Sequence, residues 1–195
     1  MLQEFVQAVN DSVKKGLQSM HTCIPGTVTA FDPATCRASV KPTMLYRKPD
    51  GTTIPYPEIS GVPVCFPQGA GQSVCFAFPV KAGDGCLILA AEQSLDYWMY
   101  QRETDTKLRF DLTDAIIIPG LFLPTNPAIQ KACDENAAVV MNGEKLIVVK
   151  QDGILIEGDL TIKGKIKMEG DVTITGDVSV EGKIDATEEI TAPNI

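Results

Sequence analysis

Histidine occurs once in the 195 residues, at His21, tryptophan once, at Trp98, and aromatic residues make up only 6% of the chain. The six cysteines (Cys23, Cys36, Cys65, Cys75, Cys86, Cys133) include no CxxC pair, and with one imidazole a zinc site has few ligands to draw on. The cysteines read as reduced, mostly buried small hydrophobes, with disulfide or zinc use as the alternative. Long apolar runs are missing as well. The most apolar stretch, Ala115 to Leu123, is broken by Pro119 and Gly120 and falls far short of the roughly 20 residues of a membrane-spanning helix. The start, MLQEFVQAVNDSVKKG, has no basic region before an apolar run and no small-residue cleavage site, so no signal peptide is expected and synthesis and folding in a cytoplasm are. Basic residues are few, 17 Lys and Arg against 25 Asp and Glu, for a net charge of −8 and a pI of about 4.7. That balance argues against a nucleic-acid partner, which needs clustered cations to displace counterions.

The usual catalytic patterns are also lacking. There is no GxSxG, and a Cys-His dyad would have to recruit His21. The glycine pairs at 69–71 and 82–85 have no following Lys-Ser/Thr and read as hairpin turns rather than phosphate loops. Asp111 and Asp114, with Glu103 and Asp105 nearby, have the residue type of a glycosidase carboxylate pair, but Asp-x-x-Asp is common by chance. Lys41, Arg47, Lys48 and Lys81 are too scattered for a nucleic-acid groove. No catalytic residue, cofactor or metal site is expected, and the chain reads as a non-enzyme.

What is present falls into four segments. Residues 1–21 carry Leu2, Phe5, Val6, Val9, Val13, Leu17 and Met20 at three- and four-residue steps, which predicts one amphipathic helix over residues 2–20. Its polar face is too poor in Lys and Arg for a membrane-surface helix, so it is expected to pack on its own domain or on a neighbouring subunit. Residues 22–100 read as short strands: IPGTVTAF and CRASVKPTM joined by a DPAT turn, a proline-rich loop over 47–63, then VPVCF, SVCFAFP and GCLILAA. Five strands with one long connection predict a barrel of the oligonucleotide/oligosaccharide-binding (OB) type, a small sandwich being the other fit. Residues 91–100 read as a short helix with Trp98 packed on the barrel, and residues 101–145 as an irregular connector.

Residues 146–195 contain a glycine every sixth position: Gly158, Gly164, Gly170, Gly176 and Gly182. Between them every apolar residue has an even number, Leu160, Ile162, Ile166, Met168, Val172, Ile174, Val178, Val180 and Ile184, so a period of two puts all of them on one face. Residues 151–195 hold ten carboxylates against four lysines, which accounts for −6 of the total −8. Burying nine such side chains within one chain does not exceed the cost of ordering the backbone that carries them, so a lone repeat is not expected to fold. A left-handed β-helix, as in hexapeptide acyltransferases, also has a six-residue period. This stretch would supply only about two of its coils, fewer than the three or more a solenoid normally requires, and it has two inward aliphatics per hexad rather than one. Three chains wound about one axis bury the face and pair the strand edges. The expected fold is therefore mainly β: an N-terminal helix, a five-stranded OB-type barrel and an intertwined triple-stranded β-helix in a homotrimer.

The segments GTVTAFDPATCRASVKP (26–42), GVPVCFPQGAGQSVCFAFPVKAGDGCLILAAEQSLDYW (61–98) and FDLTDAIIIPGLF (110–122), followed by the glycine hexads, resemble the central spike proteins of contractile phage baseplates. The likeness is to the family with a gp138-like N-terminal barrel, related in architecture to the gpV-type spikes. The resemblance implies a structural homotrimer of the virion, made in the host cytoplasm and placed at the tail baseplate tip, that pierces the host outer membrane when the sheath contracts. It implies contact with hub or tail-tube proteins, for which Leu2, Phe5, Val6, Val9 and Val13 are the expected docking residues. Many such spikes end in a His-x-His motif that holds an iron ion, whereas this chain ends EEITAPNI, so the tip is expected to be plain, closed by Ile190 and Ile195, or capped by a separate tip protein. The alternative reading is a sugar- or nucleic-acid-binding OB module on a β-helical trimerisation stalk.

Overall fold

The computed structural model describes residues 2–18, 20–48, 50–103, 105 and 108–187, and its contacts divide the chain into one unit within Met1–Gln130 and another within Lys131–Ile195. The first unit begins with helix α1 (Leu2–Gln18), which has Glu4 in its first turn and Lys15 in its last, both matched in sign to the helix dipole. It stops two residues short of the expected Met20, whose N–H instead bonds the Leu17 carbonyl at 3.3 Å.

Strand β1 (Cys23–Asp32) turns into β2 (Arg37–Pro42) through the DPAT segment. There the Asp32 carboxylate accepts the Ala34 N–H at 3.0 Å and the Thr35 hydroxyl at 2.7 Å, an Asx turn that aspartate forms readily. A small hairpin, β3 (Leu45–Arg47) with β4 (Thr53–Pro55), stands apart from the main sheet, and β5 (Ile59–Pro63) returns to pair with β2. A short ribbon follows, β6 (Gln68–Gly69) with β7 (Val74–Cys75). Strand β8 (Gly85–Ala91) then pairs with β1 on its free side, and β9 (Asp111–Pro119) pairs with β8 after a five-residue helix α2 (Asp96–Tyr100).

The resulting antiparallel sheet has the order β5-β2-β1-β8-β9. Its outer strands come together in parallel at Val64 and Ile117, where the Cys65 N–H donates to the Ile117 carbonyl at 2.8 Å. Five strands thus form a nearly closed barrel. Its inward positions follow the period of two along each strand: Ile24 and Val28, Ala38 and Val40, Cys86 and Ile88, Ala115 and Ile117, all buried. Gly26 occupies the inward position between Ile24 and Val28 because a Cβ there would lie 2.5 Å from the Ile88 Cδ1.

Five expectations need correction. The proline-rich stretch is not all loop, since Ile59–Pro63 is a barrel strand; Pro63 sits at its end, where no ladder donor is needed. SVCFAFP is not a barrel strand: only Val74 and Cys75 pair, and Phe76 is 72% exposed. The fifth strand is β9, inside what the sequence reads as an irregular connector, and Pro119-Gly120 ends it rather than forbidding it. Trp98 does not pack on the barrel but is 63% exposed. Of the cysteines only Cys86 is buried; the other five are exposed because they fall on outward or turn positions, Cys36 at a φ of +53° among them.

The second unit starts within α3 (Pro127–Asp134), and Glu135 just beyond it pairs with Lys131 at 2.6 Å and with Lys150. These ammonium groups, Lys131 first, hold the Glu135 carboxyl below its usual range. Strands β10 (Ala138–Asn142), β11 (Lys145–Val149) and β12 (Ile154–Glu157) form an antiparallel three-stranded sheet in which Val148 is fully buried. Residues 158–187 have neither helix nor strand within the chain and are exposed throughout.

Candidate functional site

In the repeat, the alternation seen in sequence lies on a segment with neither helix nor strand. The nine apolar residues from Leu160 to Ile184 are each between 49% and 64% exposed. The odd-numbered residues form the polar side, with i,i+2 pairs Lys167–Glu169 and Lys183–Asp185, the latter at 2.6 Å. At the five hexad glycines φ lies between +121° and +144°, a region that side chains other than glycine's rarely enter. The repeat therefore presents a row of apolar side chains with a backbone reversal in handedness at fixed intervals. Ile190 and Ile195, expected to close the tip, lie outside the described residues.

The second unpartnered surface is the apolar side of α1. Leu2, Phe5, Val6, Val9 and Val13 are 80%, 66%, 50%, 45% and 56% exposed, so none of the five packs on the barrel. A third was missed in sequence: the sheet β10–β11–β12 exposes Val140, Ile147, Val149, Ile154 and Ile156. The signal was present, because both sides of these short strands are apolar, which one-sided packing cannot satisfy.

The groups weighed for chemistry are committed elsewhere. The Asp111 carboxylate accepts the hydroxyl and the N–H of Thr113 at 2.6 and 2.8 Å, and the hydroxyl bond above all lowers its proton affinity. It shares no hydrogen bond with Asp114. His21 stacks edge-on against Tyr56, ring centres 5.8 Å apart, beside a cavity of about 330 Å³ that Asp111 and Glu58 also line. Burial pushes the Cys86 thiol up to about 11, away from thiolate chemistry. The 82–85 turn serves the barrel: Gly83 N–H donates to Val28, and the Val28 N–H to the Asp84 carbonyl, both at 2.8 Å. Gly69 precedes, and Gly71 lies within, the short helical turn between β6 and β7. Among the described residues no group of three or more His, Cys, Asp or Glu side chains is arranged to hold a metal ion.

Residues 24–120 match the family model for the phage protein Gp138 N-terminal domain. Over those residues, just under half of the chain, the barrel is similar to that phage domain. Among curated proteins none matches the chain significantly. The Gp138 N-terminal domain starts within β1 and ends one residue after β9, so it coincides with the nearly closed barrel and includes the fifth strand from 111 to 119. The region similar to the Gp138 N-terminal domain is thus followed by a separate unit bearing the glycine hexads.

Proposed function

We propose that this is a structural protein of the phage virion, the central spike at the tip of a contractile tail baseplate, and that three copies join to make it. The observation that carries the reading is the row of nine exposed apolar side chains following a Gp138 N-terminal domain. An extended chain with one apolar face and positive-φ glycines at six-residue steps has no way to bury that face alone, and a threefold winding gives each layer one hexad from each copy. The product is a thin needle, apolar inside and acidic outside, that pierces the host outer membrane as the sheath contracts and does no catalysis. The barrels form its collar. The α1 face of Leu2, Phe5, Val6, Val9 and Val13 docks on a hub or tail-tube protein, and no metal or cofactor is required in the described part of the needle. A separate tip protein is compatible with this arrangement.

The test is the solution mass of the full chain by light scattering. Three chains of 21.0 kDa give about 63 kDa. Ile174→Asp, which would bring three buried carboxylates into one layer, is expected to abolish that species. A monomeric full-length chain, or an Ile174→Asp protein that assembles normally, would overturn the reading.

A further inference from the structure

The sheet β10–β11–β12 has one face that is bare among the described residues. Cross-strand pairing sets Val140 beside Ile147 and Ile147 beside Ile156, and Ala138 beside Val149 and Val149 beside Ile154. All six of these apolar side chains are exposed, from 42% at Ile147 to 66% at Ile154 among the larger ones. The opposite face differs on its first two strands, where Val139, Met141 and Leu146 are half-buried and Val148 is completely buried, while Leu155 on the third is 44% exposed. The bare face carries no carboxylate; its polar residues, Asn142 and Lys145, are confined to the hairpin end, where the Lys145 stem lies against Gly158.

This face leads into the repeat across Gly158, whose φ is +137°. Ile154 and Ile156 have the same even numbering as Leu160 and Ile162, and Val140, Ile147, Ile156 and Leu160 line one shallow groove of about 380 Å³, with Lys145, Glu157 and Asp159 also on its wall. Ile156 and Leu160 are four residues apart, at most about 13 Å of extended chain. Any molecule that covers Leu160 is therefore within reach of Ile156 and Ile147. Resting on the threefold needle proposed above, we infer that the occupant of this face is the same face of two further copies: three β10–β11–β12 sheets meet around the needle axis and close its upper end with an apolar plug. A partner of another kind would have to displace the copies that cover Leu160, and the uncharged middle of the face lets identical surfaces approach without like-charge repulsion.

The experiment uses the full chain in two variants, Ile147→Asp and the double variant Val140→Thr with Ile147→Thr. The second keeps β-branched side chains, so that the strands retain their propensity. Solution mass and the protein concentration at half-assembly are read by light scattering, with circular dichroism to confirm folded β structure. The expected result is that the threonine variant stays folded while its half-assembly concentration rises at least tenfold, and that the aspartate variant loses the trimer. If the unaltered protein is trimeric and the folded threonine variant assembles at the unaltered concentration, the plug is overturned and the needle stands. If the unaltered protein is monomeric, the needle fails and the plug with it.

Discussion

Replacing Gly170 with alanine tests why the glycines recur. Gly170 has a φ of +121°, and a Cβ built on it meets nothing within 4 Å in the single chain, so the penalty for alanine comes from the backbone rather than from a clash. Holding a residue with a side chain in such a conformation costs about 1–3 kcal/mol. Threefold winding repeats the strain in each copy, giving about 3–9 kcal/mol per trimer. At 1.4 kcal/mol per tenfold, the trimer dissociation constant should rise by roughly two to six orders of magnitude. The assay is light scattering across a dilution series, repeated at increasing urea, with Thr173→Val as the control. Thr173 is exposed on the polar side, and its β-branched replacement is expected to change stability by no more than about 0.5 kcal/mol per copy. An alanine variant whose dissociation curve overlays that of the unaltered protein would refute the argument that positive φ, and not merely small size, fixes glycine at six-residue intervals.

Two further outcomes concern the barrel. Ile117 is fully buried on β9, so Ile117→Ala should destabilise the first unit by about 2–5 kcal/mol in thermal or urea unfolding; a loss below about 1 kcal/mol would remove β9 from the core. The Asp111 carboxyl is held below its ordinary range mainly by the Thr113 hydroxyl. Its stabilising contribution is then present above the unfolded carboxylate range and is lost as pH falls through the lowered folded value. Asp111→Ala should unfold more easily than the unaltered protein at neutral pH, the gap narrowing under acid; a gap that stays constant from pH 7 to pH 2 would contradict this.

Some of this architecture was legible in the sequence for clear physical reasons. The helix showed itself through three- and four-residue steps from Leu2 to Leu17, and β1, β2 and β8 through alternation bounded by turn residues such as Asp32-Pro33. The errors arose where local pattern and tertiary partnership part. SVCFAFP alternates well, yet most of it finds no neighbouring strand, while Asp111–Pro119, with aspartates at 111 and 114 and a terminal proline, completes the barrel because β8 offers a free edge. Trp98 was read as a packing residue from its type alone, but it sits on a helix of five residues with no buried member. For the candidate surfaces, the hexads were plain in the even-numbered alternation. The bare face of β10–β11–β12 was not, because the pairing register of Val140, Ile147 and Ile156 is needed to see that they lie side by side.

The line where the barrel closes has a mechanical consequence. Four of the barrel's seams are antiparallel ladders, whereas the fifth, among the described residues, is the single parallel bridge between Val64 and Ile117 with its bond from Cys65. A thrust along the strands is shared by every ladder in shear, but a twist that unrolls the wall falls on that one line first. The wall is thus stiff to pushing and compliant to unrolling, and torsional work done on it would first appear as a slit beside Cys65, whose exposed thiol makes it a site at which a thiol-reactive label could report the opening.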